Sequence, residues 1–263
     1  MQLHYTSLFT SCSRPHLYFF LFFCYSNKIV ISDNLNQIRE KIAKSAQKTG
    51  RKVDEITLVA VTKTVEIDKI EELIGLGVKN IGENRIQSAT TKFEALSSAS
   101  KTDCLPLNTS WHMIGHLQSN KAKKAVELFD FIQSVDSPNL AKEINKQAQK
   151  LKKNIKCLIE IKVSEEPSKF GIFEDNIKAL LDIIPELKNV VFCGIMTMAP
   201  FFEDPEKARP YFNKAKRTMD DIKHLLNEPY SKTPILSMGM SNDFEAAIEE
   251  GSNMVRIGTA LYK

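Results

Sequence analysis

The chain has 263 residues, of which 43% are hydrophobic and 26% charged, a composition typical of a globular protein with a sizeable core. Its 36 basic and 32 acidic residues give a net charge of +4, an excess too small and too scattered to indicate nucleic-acid binding. The five cysteines include no CxxC pair and no spacing near histidine that suits zinc, so we expect reduced thiols, two of them buried in strands, and no metal site.

Residues 1–32 differ from the rest of the chain, because they contain no Asp or Glu and hold an aromatic run from Leu17 to Tyr25. The run is too short to span a bilayer as a helix, and we expect no membrane partner. With Arg14 before it, the run resembles the apolar core of a signal peptide, but no small-residue cleavage site follows. A cleavable organelle-targeting segment and an upstream stretch that is absent from the mature protein stay open. We therefore treat residues 1–32 as a disordered or targeting extension and residues 33–263 as the folded domain.

A regular pattern begins at residue 33. Ser32 or Asp33 can cap a helix that ends at Gly50. The apolar face of this helix repeats at helical spacing and comprises Leu35, Ile38, Ile42 and Ala46. The continuous apolar run Ile56–Val61 follows, which is typical of a parallel strand buried on both faces.

The same alternation of strand and helix continues to the end of the chain. The clearest later helix begins at Asp204-Pro205, a cap followed by proline. Seven further strands are predicted, at Val78–Gly82, Trp111–Gly115, Phe131–Val135, Cys157–Val163, Val190–Met196, Pro234–Met238 and Asn253–Ile257. Eight strands with intervening helices predict a single (β/α)8 TIM barrel with an extra N-terminal helix. A doubly wound open sheet is the alternative, but the glycine-rich phosphate loop that it would place after its first strand is missing from 61–64.

Lys63 is the most specific candidate for a reactive residue, because it follows the first predicted strand and active sites of such barrels lie at the C-terminal ends of the strands. A lysine directly after a wholly apolar strand would lie in a partly desolvated mouth, where its amine is available for Schiff-base formation. A solvated loop lysine is the plain alternative.

The segments after the last two strands are rich in glycine and hydroxyl groups. Ser237, Gly239 and Ser241 belong to one of them, and Gly258 and Thr259 to the other. Loops at these positions of TIM barrels often bind phosphate through backbone N–H groups. Ser241 can instead cap the helix that follows, and both interpretations stay open. Since the first and eighth strands are neighbours in a closed barrel, Lys63, Arg256 and a phosphate site would share one mouth.

Six segments together resemble the pyridoxal phosphate homeostasis protein family, whose fold resembles the barrel domain of alanine racemase. They occur in the family's order across residues 33–263 and are Leu58–Lys63, Gly82–Asn84, Trp111–Lys121, Gly194–Met198, Ser237–Ser241 with Asp243, and Val255–Thr259.

The resemblance implies that pyridoxal 5'-phosphate (PLP) forms a Schiff base with Lys63. It also implies that Ser237, Ser241, Gly258 and Thr259 hold the phosphate, with Gly239 in the same turn. Arg256 would lie beside the pyridine ring. The remaining pocket residues that it implies are Asn84, His112, Met196 and Met198, while His116 and Lys121 would fix a turn.

A carrier is expected rather than an enzyme. PLP enzymes that break bonds at the substrate's α carbon gain from a carboxylate that keeps the pyridine nitrogen protonated, and the predicted strand ends offer Arg256 and no well-placed acid.

Six residues follow Ile257, so no second domain of the racemase type is expected, and the helix that ends near Gly50 would close the helical layer. The resemblance thus implies a protein that buffers PLP, with apo-enzymes as expected recipients. A monomer or weak dimer is the default expectation, and the N-terminal extension leaves the cytoplasm and the mitochondrion open as locations. An amino-acid racemase and a barrel that binds another phosphorylated metabolite are the alternatives.

Overall fold

Eight parallel strands form a closed barrel in the order of the chain. The computed structural model describes residues 15–99, 109–166 and 169–263, with side chains from residue 31 onward except that of residue 99. The strands are β1 (Thr57–Val61), β2 (Asn80–Glu83), β3 (Ser110–Met113), β4 (Phe131–Val135), β5 (Ile155–Glu160), β6 (Val190–Met196), β7 (Ile235–Ser237) and β8 (Met254–Ile257).

The predicted TIM barrel is confirmed, and each of the eight predicted segments overlaps a strand. Closure is direct, because β8 pairs with β1 in the parallel register Thr57↔Met254 to Ala60↔Ile257. The open-sheet alternative is therefore wrong. The predicted bounds of β4 and β6 are those of the structure, whereas β5 begins two residues earlier than predicted and ends at Glu160.

The helices lie outside the barrel, and the apolar residues between helices and strands form the main core. Their bounds are α1 (Pro15–Lys48), α2 (Ile67–Gly75), α3 (Ile86–Ala99), α4 (Ala122–Leu128), α5 (Pro138–Lys150), α6 (Lys178–Leu181), α7 (Arg209–Ile222), α8 (Phe244–Glu249) and α9 (Thr259–Tyr262). Asp204 accepts the N–H of Glu206 at 3.1 Å, as expected of a cap, but a 3-10 turn over Pro205–Ala208 precedes α7.

The predicted start of α1 is wrong, because the helix runs from Pro15 and passes through Ser32 and Asp33. Capping side chains end a helix only where the backbone leaves helical geometry, and no glycine or proline lies between His16 and Thr49. The C-terminal end agrees with the prediction, since Gly50 has a φ of +70° directly after the helix. The assignment of residues 1–32 to an extension stays a prediction, and residues 1–14 lie outside the described residues.

The C-terminal part of α1 completes the helical layer beside α8 and α9, as expected. Its predicted apolar face is buried, and Asn34 Nδ2 donates to the carbonyl oxygens of Leu261 at 3.2 Å and Lys263 at 2.7 Å. Lys41 and Lys48 form ion pairs with Glu245 and Glu249 of α8. In the part of the chain that the structure describes, no helix combines the length and apolarity that a membrane crossing requires.

Candidate functional site

Lys63 lies in a tight turn directly after β1. The Thr62 carbonyl accepts the N–H of Val65 at 3.0 Å, so Lys63 and Thr64 are the two central residues of the turn. Both are exposed, and no hydrogen bond or ion pair joins the Lys63 amine to another described residue. The expected desolvation is therefore wrong, since the turn carries Lys63 beyond the buried part of the strand. The amine is nevertheless free and accessible.

Four neighbouring strands bring most of the predicted site residues to the same end of the barrel. In the closed order, β7, β8, β1 and β2 are contiguous. A Cβ atom on Gly258 would lie 3.3 Å from Val61 Cβ, so the turn after β8 lies beside the Lys63 turn. Asn84 follows β2 and is half-buried. A Cβ atom on Gly115 would lie 2.3 Å from the carbonyl oxygen of Asn84, so this approach of the two loops requires glycine.

Ser241 joins the segments that follow β7 and β8. Its hydroxyl accepts the N–H groups of Gly258 at 3.3 Å and Ala260 at 3.2 Å. Ser241 therefore does not cap α8, and this alternative is wrong. Asp243 precedes that helix instead, and its carboxylate accepts the N–H of Met240 at 2.6 Å. The two glycine-containing turns are thus held together as one unit.

Gly239 and Thr259 occupy different environments in this unit. Gly239 has a φ of +91°, and a Cβ atom there would lie 2.6 Å from Ala247 Cβ. A glycine is needed for packing against α8 as well as for backbone geometry. Thr259 is exposed at the first position of α9. The turn itself lies at the end of the barrel that carries Lys63.

Arg256 lies inside the barrel, and its guanidinium forms two hydrogen bonds. It donates to Ser237 Oγ at 2.7 Å and to the carbonyl oxygen of Thr197 at 2.9 Å. Ser237 in turn donates to Gln133 Oε1 at 2.7 Å. Because Ser237 is fully buried and both of its neighbours are in place, the structure assigns its hydroxyl to this interior network. Its predicted role at the phosphate stays a prediction.

Two buried carboxyl groups act on Arg256. Burial lowers the pKa of Arg256 to about 10, and the negative charges of Glu160 and Asp243 oppose that change. Burial raises the pKa of Glu160 to about 7, with Asp136 adding to the rise and Arg256 opposing it. Glu160 ends β5 and is buried with an unpartnered Oε2 atom, so the strand ends hold a buried acid that was not predicted. Its signal in the sequence was an acidic residue directly after the apolar residues 157–159. That no acid is placed to protonate the pyridine nitrogen stays a prediction.

His112 is a buried residue of β3. Gln133 Nε2 donates to its Nδ1 atom at 2.9 Å, Asn80 Oδ1 lies 3.1 Å from its Nε2 atom, and its ring stacks on Phe131. Burial first, and the charge of Lys156 second, lower the pKa of His112 to about 3, so the ring is neutral. These contacts are those of a satisfied interior histidine, and the predicted place of His112 in a pocket stays a prediction.

Three other predicted residues have distinct surroundings. Met196 ends β6 and belongs, with Leu158 and Cys193, to a small apolar cluster against which Met198 packs. His116 stacks on Phe170 with ring centroids 3.9 Å apart and lies 3.3 Å from Asp136. Lys121 is exposed in a 3-10 turn before α4. His116 and Lys121 thus lie in the segment after β3, where a turn was expected.

The described residues contain no group of three or more His, Cys, Asp or Glu side chains that could hold a metal ion. Cys157 and Cys193 are buried free thiols of β5 and β6, as expected for two of the cysteines. Cys12 and Cys104 lie outside the described residues.

Comparison with known proteins identifies the family. The family model for the alanine racemase N-terminal domain matches residues 34–263. A pyridoxal phosphate homeostasis protein of Aquifex aeolicus is 41% identical over 232 residues, which cover 88% of this chain and 96% of that protein. The pyridoxal phosphate homeostasis protein of Escherichia coli K12 is 36% identical over 233 residues, with coverage of 88% and 95%.

Solved structures agree with this relationship. PipY of Synechococcus elongatus with PLP bound is 31% identical, with a TM-score of 0.74 and coverage of 89% of this chain and 100% of that one. An alanine racemase of Clostridium difficile 630, at 16% identity and a TM-score of 0.65 over 89% of this chain and 56% of that one, shares the fold alone. The chain belongs to the pyridoxal phosphate homeostasis protein family, with the barrel fold of the alanine racemase N-terminal domain.

Proposed function

We propose that this protein binds PLP as a Schiff base on Lys63 and thereby carries and buffers the cofactor in vitamin B6 homeostasis. The observation that supports this most is a free, exposed lysine amine in a hydrogen-bonded turn beside the glycine-containing turn after β8. The amine condenses with the aldehyde of PLP, forming a C=N bond and releasing water, and hydrolysis reverses the reaction. The name of the family and the PLP bound in PipY support the same ligand.

The phosphate of PLP is proposed to bind at the turns after β7 and β8. Ser241 and Thr259 supply hydroxyl donors there, and Thr259 also has a backbone N–H. Gly258, whose own N–H donates to Ser241 Oγ, would let the backbone come close to the anion. Donors of this kind at the ends of the last two strands of a TIM barrel suit a phosphate dianion. The residues present therefore fit the cofactor's anionic end as well as its aldehyde.

Arg256 is proposed to lie on the pyridine side of the cofactor. Its pKa of about 10 keeps the guanidinium cationic at neutral pH. PLP, when bound, supplies an electron sink whose strength depends on a protonated pyridine nitrogen. A cation beside that nitrogen opposes its protonation and weakens the sink, which favours reversible binding over turnover. The proposed set of cofactor-binding residues is completed by Asn84, His112, Met196, Ser237 and Gly239.

The release of PLP to apo-enzymes is part of the proposal, together with a monomeric state and a cytoplasmic location. Lys63 and Thr259 are exposed in the structure, an accessibility that would allow exchange of the cofactor with a recipient protein. No protein recipient is identified by the contacts of the described residues.

The proposal is tested by titrating the protein with PLP and following the visible absorbance of the C=N bond. We expect a band in the parent and in Lys121→Ala, an exposed-lysine control, and none in Lys63→Ala. An equal band in Lys63→Ala would overturn the proposal. Absence of turnover is checked by incubating the loaded protein with amino acids in D2O. We expect no exchange of the α proton, and catalytic exchange would favour the racemase alternative.

A further inference from the structure

A buried ion pair lies beneath the turn that carries Lys63. Glu83 ends β2 and Lys92 lies on α3, and Lys92 Nζ is 2.8 Å from Glu83 Oε1. The side chains are 0% and 11% exposed, respectively, so water solvates neither charge well. The neighbouring Ser88 hydroxyl donates to Glu83 Oε2 at 3.2 Å.

The ion pair is bonded to Thr62, the residue before Lys63. The Thr62 hydroxyl donates to Glu83 Oε1 at 2.6 Å, and Lys92 Nζ donates to the carbonyl oxygen of Thr62. The same carbonyl closes the turn by accepting the N–H of Val65. Since a carbonyl oxygen accepts two hydrogen bonds, both acceptor positions of this one are filled. The carbonyl belongs to the peptide group that joins Thr62 to Lys63, so the pair fixes the backbone at Lys63.

Stability alone explains such a pair poorly. Removing two charges from water costs several kcal/mol per ion in general, and an apolar pair of similar volume is often as stable or more so. A buried pair is better explained when its geometry serves another purpose. Here every hydrogen bond of the pair is directed to the turn after β1, to β2 or to the start of α3.

We propose that Glu83 and Lys92 are positioning residues, which hold the Thr62–Lys63 peptide so that the Lys63 amine meets the aldehyde of a phosphate-anchored cofactor. This inference rests on the proposed function. A lysine side chain is long and flexible, so the positions that its amine can reach depend on where the backbone holds its Cα atom. Anchoring that atom raises the effective concentration of the amine at the aldehyde, whereas it leaves the phosphate contacts unchanged.

The test compares two ligands in a charge-neutral double variant. Glu83→Gln/Lys92→Met removes both charges together, which avoids leaving one buried charge without its partner. Lys41→Met/Glu245→Gln is the matched control, because it makes the same substitutions in an exposed ion pair of 2.9 Å between α1 and α8. PLP reports covalent and phosphate binding together. Pyridoxine 5'-phosphate, which has an alcohol in place of the aldehyde, reports phosphate and ring binding alone.

We expect the affinity for PLP to fall on the order of tenfold in the buried-pair variant, with the affinity for pyridoxine 5'-phosphate unchanged. The control variant Lys41→Met/Glu245→Gln should change the affinity for neither ligand. Equal losses for both ligands, or no loss for either, would overturn the positioning role. If the double variant does not fold in a thermal melt, Thr62→Val serves in its place, because it removes the hydrogen bond from the turn to Glu83 and leaves both charges of the ion pair together. The same selective loss of affinity for PLP is then expected.

The proposed function is tested separately in the parent protein. A parent that binds pyridoxine 5'-phosphate and PLP equally, with no absorbance band, would contradict the Schiff base itself. The other outcome is that the parent shows the band and the buried-pair variant keeps the same ratio of affinities for PLP and pyridoxine 5'-phosphate. This outcome would contradict only the positioning role.

Discussion

The guanidinium of Arg256 donates to the hydroxyl of Ser237 at 2.7 Å, which joins β8 to the end of β7 inside the barrel. From Ser237 the hydrogen bonds continue through Gln133 to His112 and then to Asn80. Each group donates to the next one, an order that the neutral Nε2–H form of His112 permits. Five side chains from β2, β3, β4, β7 and β8 thus form one directed network, with its cation at the end nearest the proposed site.

Gln133 is the centre of this network, and replacing its amide by an apolar group removes the hydrogen bonds to both of its neighbours. We predict that Gln133→Leu lowers the free energy of unfolding by about 1–3 kcal/mol, because the buried Ser237 hydroxyl and His112 Nδ1 each lose a partner. Urea unfolding measures the change. Gln149→Leu, on the exposed face of α5, is the control, with an expected effect within about 0.5 kcal/mol. Equal stability of the Gln133 variant and the parent would show that the network contributes nothing.

Glu160 makes stability depend on pH near neutrality. Its pKa is raised from 4.5 to about 7, so its contribution to stability is full below pH 4.5 and is lost as pH rises through 7. The loss amounts to about 3 kcal/mol at pH 8. Glu160→Gln does not ionise at this position and lacks this loss. We therefore predict that the free energy of unfolding of the variant, measured relative to the parent, is higher at pH 8 than at pH 5. Urea unfolding at the two pH values measures this difference, and parallel pH profiles would contradict it.

His112 has the opposite pH dependence. Its pKa is lowered from 6.5 to about 3, so its contribution to stability is present above pH 6.5 and is lost as pH falls towards 3. Between pH 7 and pH 5 the parent should lose about 2 kcal/mol from this residue. In His112→Asn, whose side chain does not titrate, we expect that part of the acid sensitivity to disappear, although the variant is less stable at pH 7. An unchanged slope in the variant would show that folding does not lower the pKa of His112.

The barrel and the location of the proposed site could be predicted from the sequence because both depend on local patterns. Buried parallel strands give continuous apolar runs such as Ile56–Val61, and the residues after them lie at one end of any such barrel. The start of α1 could not be predicted in this way. A serine or aspartate is compatible with a cap and with a helix interior, and only the backbone geometry decides between them.

The interior network and the buried ion pair were not predicted, because their partners are distant in the sequence. Ser237 and Gln133 are 104 residues apart, and Lys92 and Thr62 are 30 apart. A polar residue in an apolar strand shows that a partner is needed, but the register of neighbouring strands determines which residue supplies it. The exposure of Lys63 agrees with the solvated loop lysine that was left open as the alternative, and the sequence could not decide between the two because the exposure depends on the hydrogen-bonded turn between Thr62 and Val65.

The most direct test of the account is to reduce the PLP-loaded protein with borohydride and to map the fixed cofactor by mass spectrometry of its peptides. Reduction converts the C=N bond to a stable C–N bond, so the label stays on the lysine that carried the cofactor. We predict that the label lies on the peptide containing Lys63 and is lost in Lys63→Ala. A label on other lysines in the parent, or none, would contradict it.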